Sequence, residues 1–276
     1  MNNENIGTLR RASAQKMLFS ADYTLSMHKQ AVFIGDVHGR HHWQSVVKTW
    51  LDHADLIVFL GDYLDTHDPR MTSERINANF RAIIKLKQQH PDKIRLHLGN
   101  HDFYYFYNNP LYIGSGYRED IADEWHDLLQ KNRDLFRLAS RFDQTLASHA
   151  GFTNWWIKQF QHTYEKKMRH PLDMNDLVPA LNTCLKTVSP DQFTNLIATV
   201  GLKRGGFSPS GGPIWCDQRE LQADPLVGFN QTVGHTPQQG GRYTQTLASG
   251  GEWLTFNDLG ESLITQPFVL LYENAD

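Results

Sequence analysis

Two kinds of apolar run alternate along the first hundred residues of this chain. Ala31 to Ile34, Leu56 to Leu60 and Ile94 to Leu98 are short, apolar or β-rich runs, with the length and composition of buried strands. Each stops at a glycine (Gly35, Gly61 and Gly99), where the backbone can turn sharply without a Cβ penalty. Between them apolar residues return at helical spacing. Trp43, Val46, Val47, Trp50 and Leu51 mark a helix over His42 to His53, and Ile76, Phe80, Ile83, Ile84 and Leu86 mark one over Ser73 to Gln89. Strand, helix, strand, helix, strand is the βαβ pattern of an α/β domain, in which ligands bind at the carboxyl ends of the strands.

Later segments extend the pattern. Glu119 to Leu138 reads as a helix through Trp125, Leu128, Leu129 and Leu135. Thr153 to Phe160 reads as another, with one of Trp155 and Trp156 buried and the other partly exposed. Gln144 to Ala147, Gln231 to Val233, Trp253 to Phe256 and Pro267 to Tyr272 are strand-like, so a second sheet packed on the first is expected. The organisation predicted is an N-terminal lead-in over 1–29 and a single domain over 30–276. A helical insertion at about 152–200, with runs over Met174 to Val188 and Asp191 to Val200, is expected to lie over the site edge and to govern substrate choice.

The glycines open blocks that carry chemistry: Gly35-Asp36-Val37-His38-Gly39, Gly61-Asp62-Tyr63-Leu64-Asp65 and Gly99-Asn100-His101-Asp102. Taken singly, each is more simply a turn, since Asp and Gly favour turn geometry. On one sheet edge together they crowd several carboxylates, whose repulsion cations must offset. Carboxylate oxygens mixed with imidazole suit manganese, iron or zinc better than calcium, and a carboxylate such as Asp62 can bridge two ions. Two ions about 3.5–4 Å apart can clamp both oxygens of an in-line displacement at phosphorus, which is phosphoester hydrolysis.

Two further blocks follow strand-like runs: Ser148-His149-Ala150-Gly151 and Gly234-His235-Thr236-Pro237. The five blocks in this order resemble the signature of the calcineurin-like metallophosphoesterases, and are similar to the phosphoprotein-phosphatase-like branch of bacteria and their phages. The resemblance implies a sandwich of two mixed β-sheets flanked by helices, with a dimetal site at the strand C-terminal edge. It implies that Asp36 and His38 bind the first metal, that Asp62 bridges, and that Asn100, His149 and His235 complete the second. His101 would protonate the leaving alkoxide with Asp65 holding its imidazole, and a metal-bridging hydroxide would attack.

Two departures from that signature bear on substrate. Relatives acting on phosphoproteins usually carry Asp-Arg-Gly after the bridging aspartate, whereas here Thr66 follows Asp65. Arg204, in Lys203-Arg204-Gly205-Gly206, is the candidate replacement, since a flexible glycine-rich loop lets a guanidinium reach phosphate in bidentate geometry. An exposed arginine that only aids solubility is the competing reading, and Arg40 is a second candidate. Asp102 also replaces a common glutamate, which hints at a substrate outside the eukaryotic-type protein class. His67 and Asp68 read as loop-shaping residues. Phe103 to Tyr107 reads as core under the site, with stacking on a nucleobase as the alternative.

Composition narrows the rest. A formal charge of -3 over 276 residues gives no strong nucleic-acid signal, and Lys166 to His170 reads as a solvated helix face. Two cysteines exclude a disulfide framework, and neither a signal peptide nor a membrane-length apolar run is evident, so a cytoplasmic enzyme is expected. The partner implied is a phosphorylated substrate, protein or nucleotide. A phosphomonoesterase of serine/threonine-phosphatase type leads. Diadenosine polyphosphate or other nucleotide hydrolysis, a phosphodiesterase, and a metal-stabilised binding scaffold are the alternatives.

Overall fold

The computed structural model describes residues 29–186, 190–239, 241–247, 251–259 and 267–276. The expected lead-in over 1–29 lies outside the described residues apart from Lys29, as does the end of the run expected over Met174 to Val188. In chain order the elements are β1 (Lys29–Ile34), α1 (Trp43–Trp50), β2 (Leu56–Phe59), α2 (Ser73–Gln89), β3 (Ile94–His97), α3 (Asn100–Tyr107), α4 (Ala122–Lys131), β4 (Phe136–Arg137), β5 (Ala139–Phe142) and β6 (Thr145–Ser148). There follow α5 (Asn154–Met168), α6 (Leu177–Cys184), α7 (Gln192–Ile197), α8 (Gln218–Ala223), β7 (Asn230–Val233), β8 (Tyr243–Thr246), β9 (Trp253–Phe256) and β10 (Phe268–Tyr272).

The strands form two mixed five-stranded sheets, ordered β10-β1-β2-β3-β4 and β5-β6-β7-β9-β8. In the first, β1 to β4 are mutually parallel and β10 runs antiparallel on the edge; in the second, β6, β7 and β9 are parallel and the outer strands antiparallel.

Alternation along the strands explains the layers. Ala31, Phe33, Leu56 and Val58 pack with Phe142 and Ala147 of the second sheet, while Val32, Ile34, Ile57 and Phe59 face the helices. Phe33 meets Phe142 edge-on across the sheets, centroids 5.5 Å apart. Such a ring pair contributes about 0.5–1.5 kcal/mol beyond its buried area. A buried polar link crosses this interface, where His97 of β3 and Ser140 of β5 meet at 2.9 Å (Nε2 to Oγ).

The region expected to be one helix over Glu119 to Leu138 is divided. Only Ala122–Lys131 is α-helical, a 3₁₀ turn covers Arg133–Leu135, and Phe136–Arg137 is strand β4 against β3. Local periodicity could not show this, because the pairing partner lies some forty residues away. Trp156 is buried and Trp155 half-buried, as the helical spacing predicts.

Candidate metal centre

Six loops meet at the carboxyl ends of six parallel strands, three from each sheet. From the first sheet, the loop after β1 carries Asp36 and His38, that after β2 carries Asp62 and Asp65, and β3 runs into α3 with Asn100 and His101. From the second, the loops after β6, β7 and β9 carry His149, His235 and Asp258.

The backbone is bent to bring them together. Among the described residues seven non-glycines have positive φ, and four of these are His38, Asp62, Asp65 and His235. Such conformations cost on the order of 1–3 kcal/mol each and persist where surrounding structure over-determines them. Of the three block-opening glycines only Gly61 has positive φ, so the expectation of a sharp glycine turn holds there alone. Gly99 has another reason: a Cβ on it would lie 2.1 Å from Asp62 Oδ1. Gly234 likewise admits Asp36, whose Oδ1 would be 2.3 Å from a Cβ.

Asp36 and Asp62 each use one oxygen for the fold and turn the other inward. Asp36 Oδ1 accepts the His235 backbone N–H at 2.9 Å, and Asp62 Oδ1 accepts that of His101 at 3.0 Å. Asp62 Oδ2 then lies 3.6 Å from His38 Nε2 and 3.4 Å from His149 Nε2, while Asp36 Oδ2 is 3.9 Å from His38 Nε2. The tautomers follow from the outer ring atoms. His149 Nδ1 donates to the Leu60 carbonyl at 2.9 Å and His38 Nδ1 to that of Asp65 at 3.1 Å, so both Nε2 atoms present lone pairs.

His149 Nε2 also lies 3.0 Å from Asn100 Oδ1 and 3.1 Å from His235 Nδ1. The His149 Nε2 lone pair therefore faces two further acceptors, Asn100 Oδ1 and Asp62 Oδ2, an arrangement that a cation reconciles. Two overlapping groups have ligand atoms within 4.8 Å of one another, His38-Asp62-His101 and Asp62-His149-His235, with Asp62 common to both. Carboxylate, amide oxygen and imidazole form a donor set that fits a pair of divalent cations.

Electrostatics agree. Burial, then the neighbouring Asp258, raises the Asp36 carboxyl well above the usual carboxylate range; burial, then Asp36 and Asp102, does the same to Asp62. Burial holds His38 and His235 well below 6.5 and takes His149 down to about 3. The imidazoles are thus neutral, as ligands must be, and a bound cation would displace carboxyl protons.

Asp102 does not belong with the ligand candidates. Its carboxylate accepts the backbone N–H groups of Gly99, Asp62, Tyr63 and Leu64 at 2.8–3.2 Å, and so organises the Asp62 loop from below. Burial raises it to about 7 against the opposing effect of those N–H groups. The Asp102 departure from the phosphoprotein-phosphatase pattern thus has a local structural role.

Around His101, Asp65 is fully buried and accepts from two tyrosine hydroxyls, with the His101 ring beside it. His101 Nδ1 lies 3.3 Å from Asp65 Oδ2, Tyr104 Oη donates to Oδ2 at 2.8 Å, and Tyr105 Oη donates to Oδ1 at 2.5 Å. The aromatic run 103–107 is buried, as expected for core, yet two of its hydroxyls serve the site. Sequence reasoning missed this. The signal was available: Tyr104 stands three residues after His101 in a helix, hence on the same face. Asp258 was missed as well, although it too follows a strand end.

A cavity of about 380 Å³ opens over the cluster, lined by Asp36, His38, Asp62, Asn100 and His101 with Arg40, Arg204, Trp215 and Asp258 among others. Arg204 is held rather than flexible: its Nε pairs with Asp217 Oδ2 at 2.9 Å and a terminal nitrogen donates to Thr236 Oγ1 at 2.9 Å. None of the lining comes from 152–200; Arg204 and Trp215 lie just beyond it. His67 and Asp68 line the mouth, and Asp68 grips Arg70 in its own loop.

A family model described as calcineurin-like phosphoesterase matches residues 30–245. Among solved structures the chain is similar to a cold-active protein-tyrosine phosphatase of a psychrophilic Shewanella species, at 20% identity and a TM-score of 0.53, over 89% of this chain and 76% of that one. A point mutant of a cold-active protein tyrosine phosphatase gives a TM-score of 0.56 at the same identity and coverage. These likenesses are of fold. No curated protein matches the chain.

Proposed function

Because the chain belongs to the calcineurin-like phosphoesterase family and is thereby a metal-dependent phosphoesterase, we propose that it is a phosphomonoesterase of the serine/threonine-phosphatase type, using manganese. The carrying observation is the sharing of Asp62 Oδ2 between two groups of lone pairs beneath a cavity that also holds Arg40 and Arg204. Asp36, His38 and Asp62 would hold one ion; Asp62, Asn100, His149 and His235 would hold the other. Bound there, the ions supply charge neutralisation and an activated water for attack at phosphorus.

The remaining work falls to side chains. Arg204, oriented by Asp217 and Thr236, presents its guanidinium to the phosphate oxygens, where charge-assisted hydrogen bonds are strongest. Arg40 adds positive charge at the same mouth. His101, with Nδ1 engaged by Tyr104 and Asp65, keeps Nε2 for the leaving oxygen and delivers a proton to the departing alkoxide. Such general acid catalysis contributes about 10²–10⁴ in rate. Two arginines beside the ions favour a dianionic monoester over a diester.

Trp215 supports a second reading. It is half-buried, lines the cavity and contacts His235 edge-on at 5.9 Å, so its ring offers a face to a nucleobase, and a nucleotide hydrolase would use it. Comparing kcat/KM of the manganese-loaded protein on phosphoserine, phosphothreonine and phosphotyrosine peptides, diadenosine tetraphosphate and bis-para-nitrophenyl phosphate separates the readings. The phosphoserine and phosphothreonine peptides are expected to lead; preference for the dinucleotide or the diester would overturn the proposal.

A further inference from the structure

We propose that Tyr104 is a positioning residue for His101, the middle member of a His101–Tyr104–Asp65 hydrogen-bond chain that fixes which ring nitrogen of His101 faces substrate. The proposal rests on the reading of His101 as the leaving-group acid.

The geometry gives each atom one role. Tyr104 Oη lies 2.8 Å from Asp65 Oδ2 and 2.8 Å from His101 Nδ1, while the direct His101 to Asp65 distance is 3.3 Å. A charge-assisted N–H···O bond is normally about 2.7–2.9 Å, so the direct contact is long and the hydroxyl supplies the shorter route. A phenol has one proton to donate and lone pairs with which to accept. An ionised Asp65 can only accept, so the Tyr104 proton goes to Asp65 and its lone pair receives the His101 Nδ1–H. Nε2 is then the ring atom left for the cavity, where His101 stands edge-on to His38 with centroids 5.0 Å apart.

The rest of the chain is anchored so that this order is kept. Tyr105 holds the other oxygen of Asp65, while its own Oη accepts the Arg118 backbone N–H at 2.8 Å. Its ring stacks on Tyr117 at 5.3 Å and meets Trp125 edge-on at 4.9 Å. Asp65 also receives His38 Nδ1 on its backbone carbonyl, so one residue orients imidazoles on both sides of the cavity. Tyr105 therefore secures Asp65, and Tyr104 carries the shorter link onward to His101.

The test compares wild type, Tyr104→Phe, Tyr105→Phe and His101→Ala, all manganese-loaded, on two monoesters. Para-nitrophenyl phosphate has a leaving group that needs little protonation; β-glycerophosphate expels an alkoxide that needs it. Tyr104→Phe keeps the ring, and losing one hydrogen bond to the acid should lower kcat on β-glycerophosphate about tenfold, but on the nitrophenyl ester only about twofold, with KM and bound metal unchanged. Tyr105→Phe should show a smaller difference between the esters. Equal losses on both esters in Tyr104→Phe, with or without a lowered melting temperature, would mark a packing role and overturn the proposal. So would an unchanged alkyl-ester rate while His101→Ala still discriminates. A His101→Ala variant that treats both esters alike would instead remove the acid reading on which the proposal stands.

Discussion

The two sheets contribute unlike halves to one site. The half on the first sheet comes from residues 36 to 101, supplies both inward-turned carboxylates, and contains the proposed acid with its tyrosine-held aspartate. The half on the second sheet is spread from His149 to Asp258; it supplies two imidazoles, and the long segment between β6 and β7 adds the arginine and tryptophan of the mouth. Each half alone is chemically incomplete. The first has negative charge without enough neutral ligands, and the second has neutral ligands without a bridging oxygen. Asp62 is where they meet, because its Oδ2 faces His38 on one side and His149 on the other.

The sharpest way to break this division is to remove the shared atom. Asp62→Asn should weaken both ions, by more than the ~10–100-fold that loss of a ligand's supporting partner costs, and turnover should fall at least as far. Metal content after gel filtration checks it. Replacing a ligand of one half only, as in His235→Asn, is expected to leave one ion bound and one lost.

Removing the acid should spare both ions. His101→Ala is expected to retain two ions per chain while kcat on alkyl phosphates falls about 10²–10⁴-fold, which separates chemistry from ligation within the first half. In the second half, Arg204→Ala should lower kcat/KM roughly ten- to a hundredfold, chiefly through KM, as loss of a charged hydrogen bond to substrate predicts. An unchanged KM would return Arg204 to a structural part in the Asp217 pair.

The smallest effect concerns the join between the sheets. Burial, with Arg95 and Arg137 nearby, holds His97 well below 6.5. The folded chain therefore binds fewer protons there than the unfolded chain does as pH drops below about 6.5. Its contribution to stability is full above that value and is lost as pH falls. His97→Gln should make the acid-side fall in urea midpoint shallower; an identical pH profile would show that the buried imidazole carries no such linkage.

The same division explains how much could be read from the sequence. In the first half, strand, glycine and ligand adjoin, so each block could be placed by local pattern, and the βαβ order alone implied that Asp36, Asp62 and Asn100 share an edge. In the second half, His149 and His235 follow strand-like runs but took their ligand roles from family resemblance, and their meeting at 3.1 Å depends on β6 pairing with β7 across some eighty residues. Strands β4, β5 and β8 were not anticipated, because two to four residues of mixed polarity carry no periodicity of their own. Tyr104 and Tyr105 were hidden for another reason: a buried aromatic run reads as core, and the hydroxyls announce themselves only when their partner is known. Arg204 was reached by analogy, yet the pair that fixes it, Asp217 and Thr236, could not be inferred without the loop geometry.

A manganese titration of the metal-stripped protein, with bound metal and para-nitrophenyl phosphate turnover read on the same samples, tests most directly whether the two halves act as one centre. The expectation is two ions per chain, with turnover rising as the second is bound. Full turnover in the stripped protein, or saturation of activity with a single ion, would contradict it.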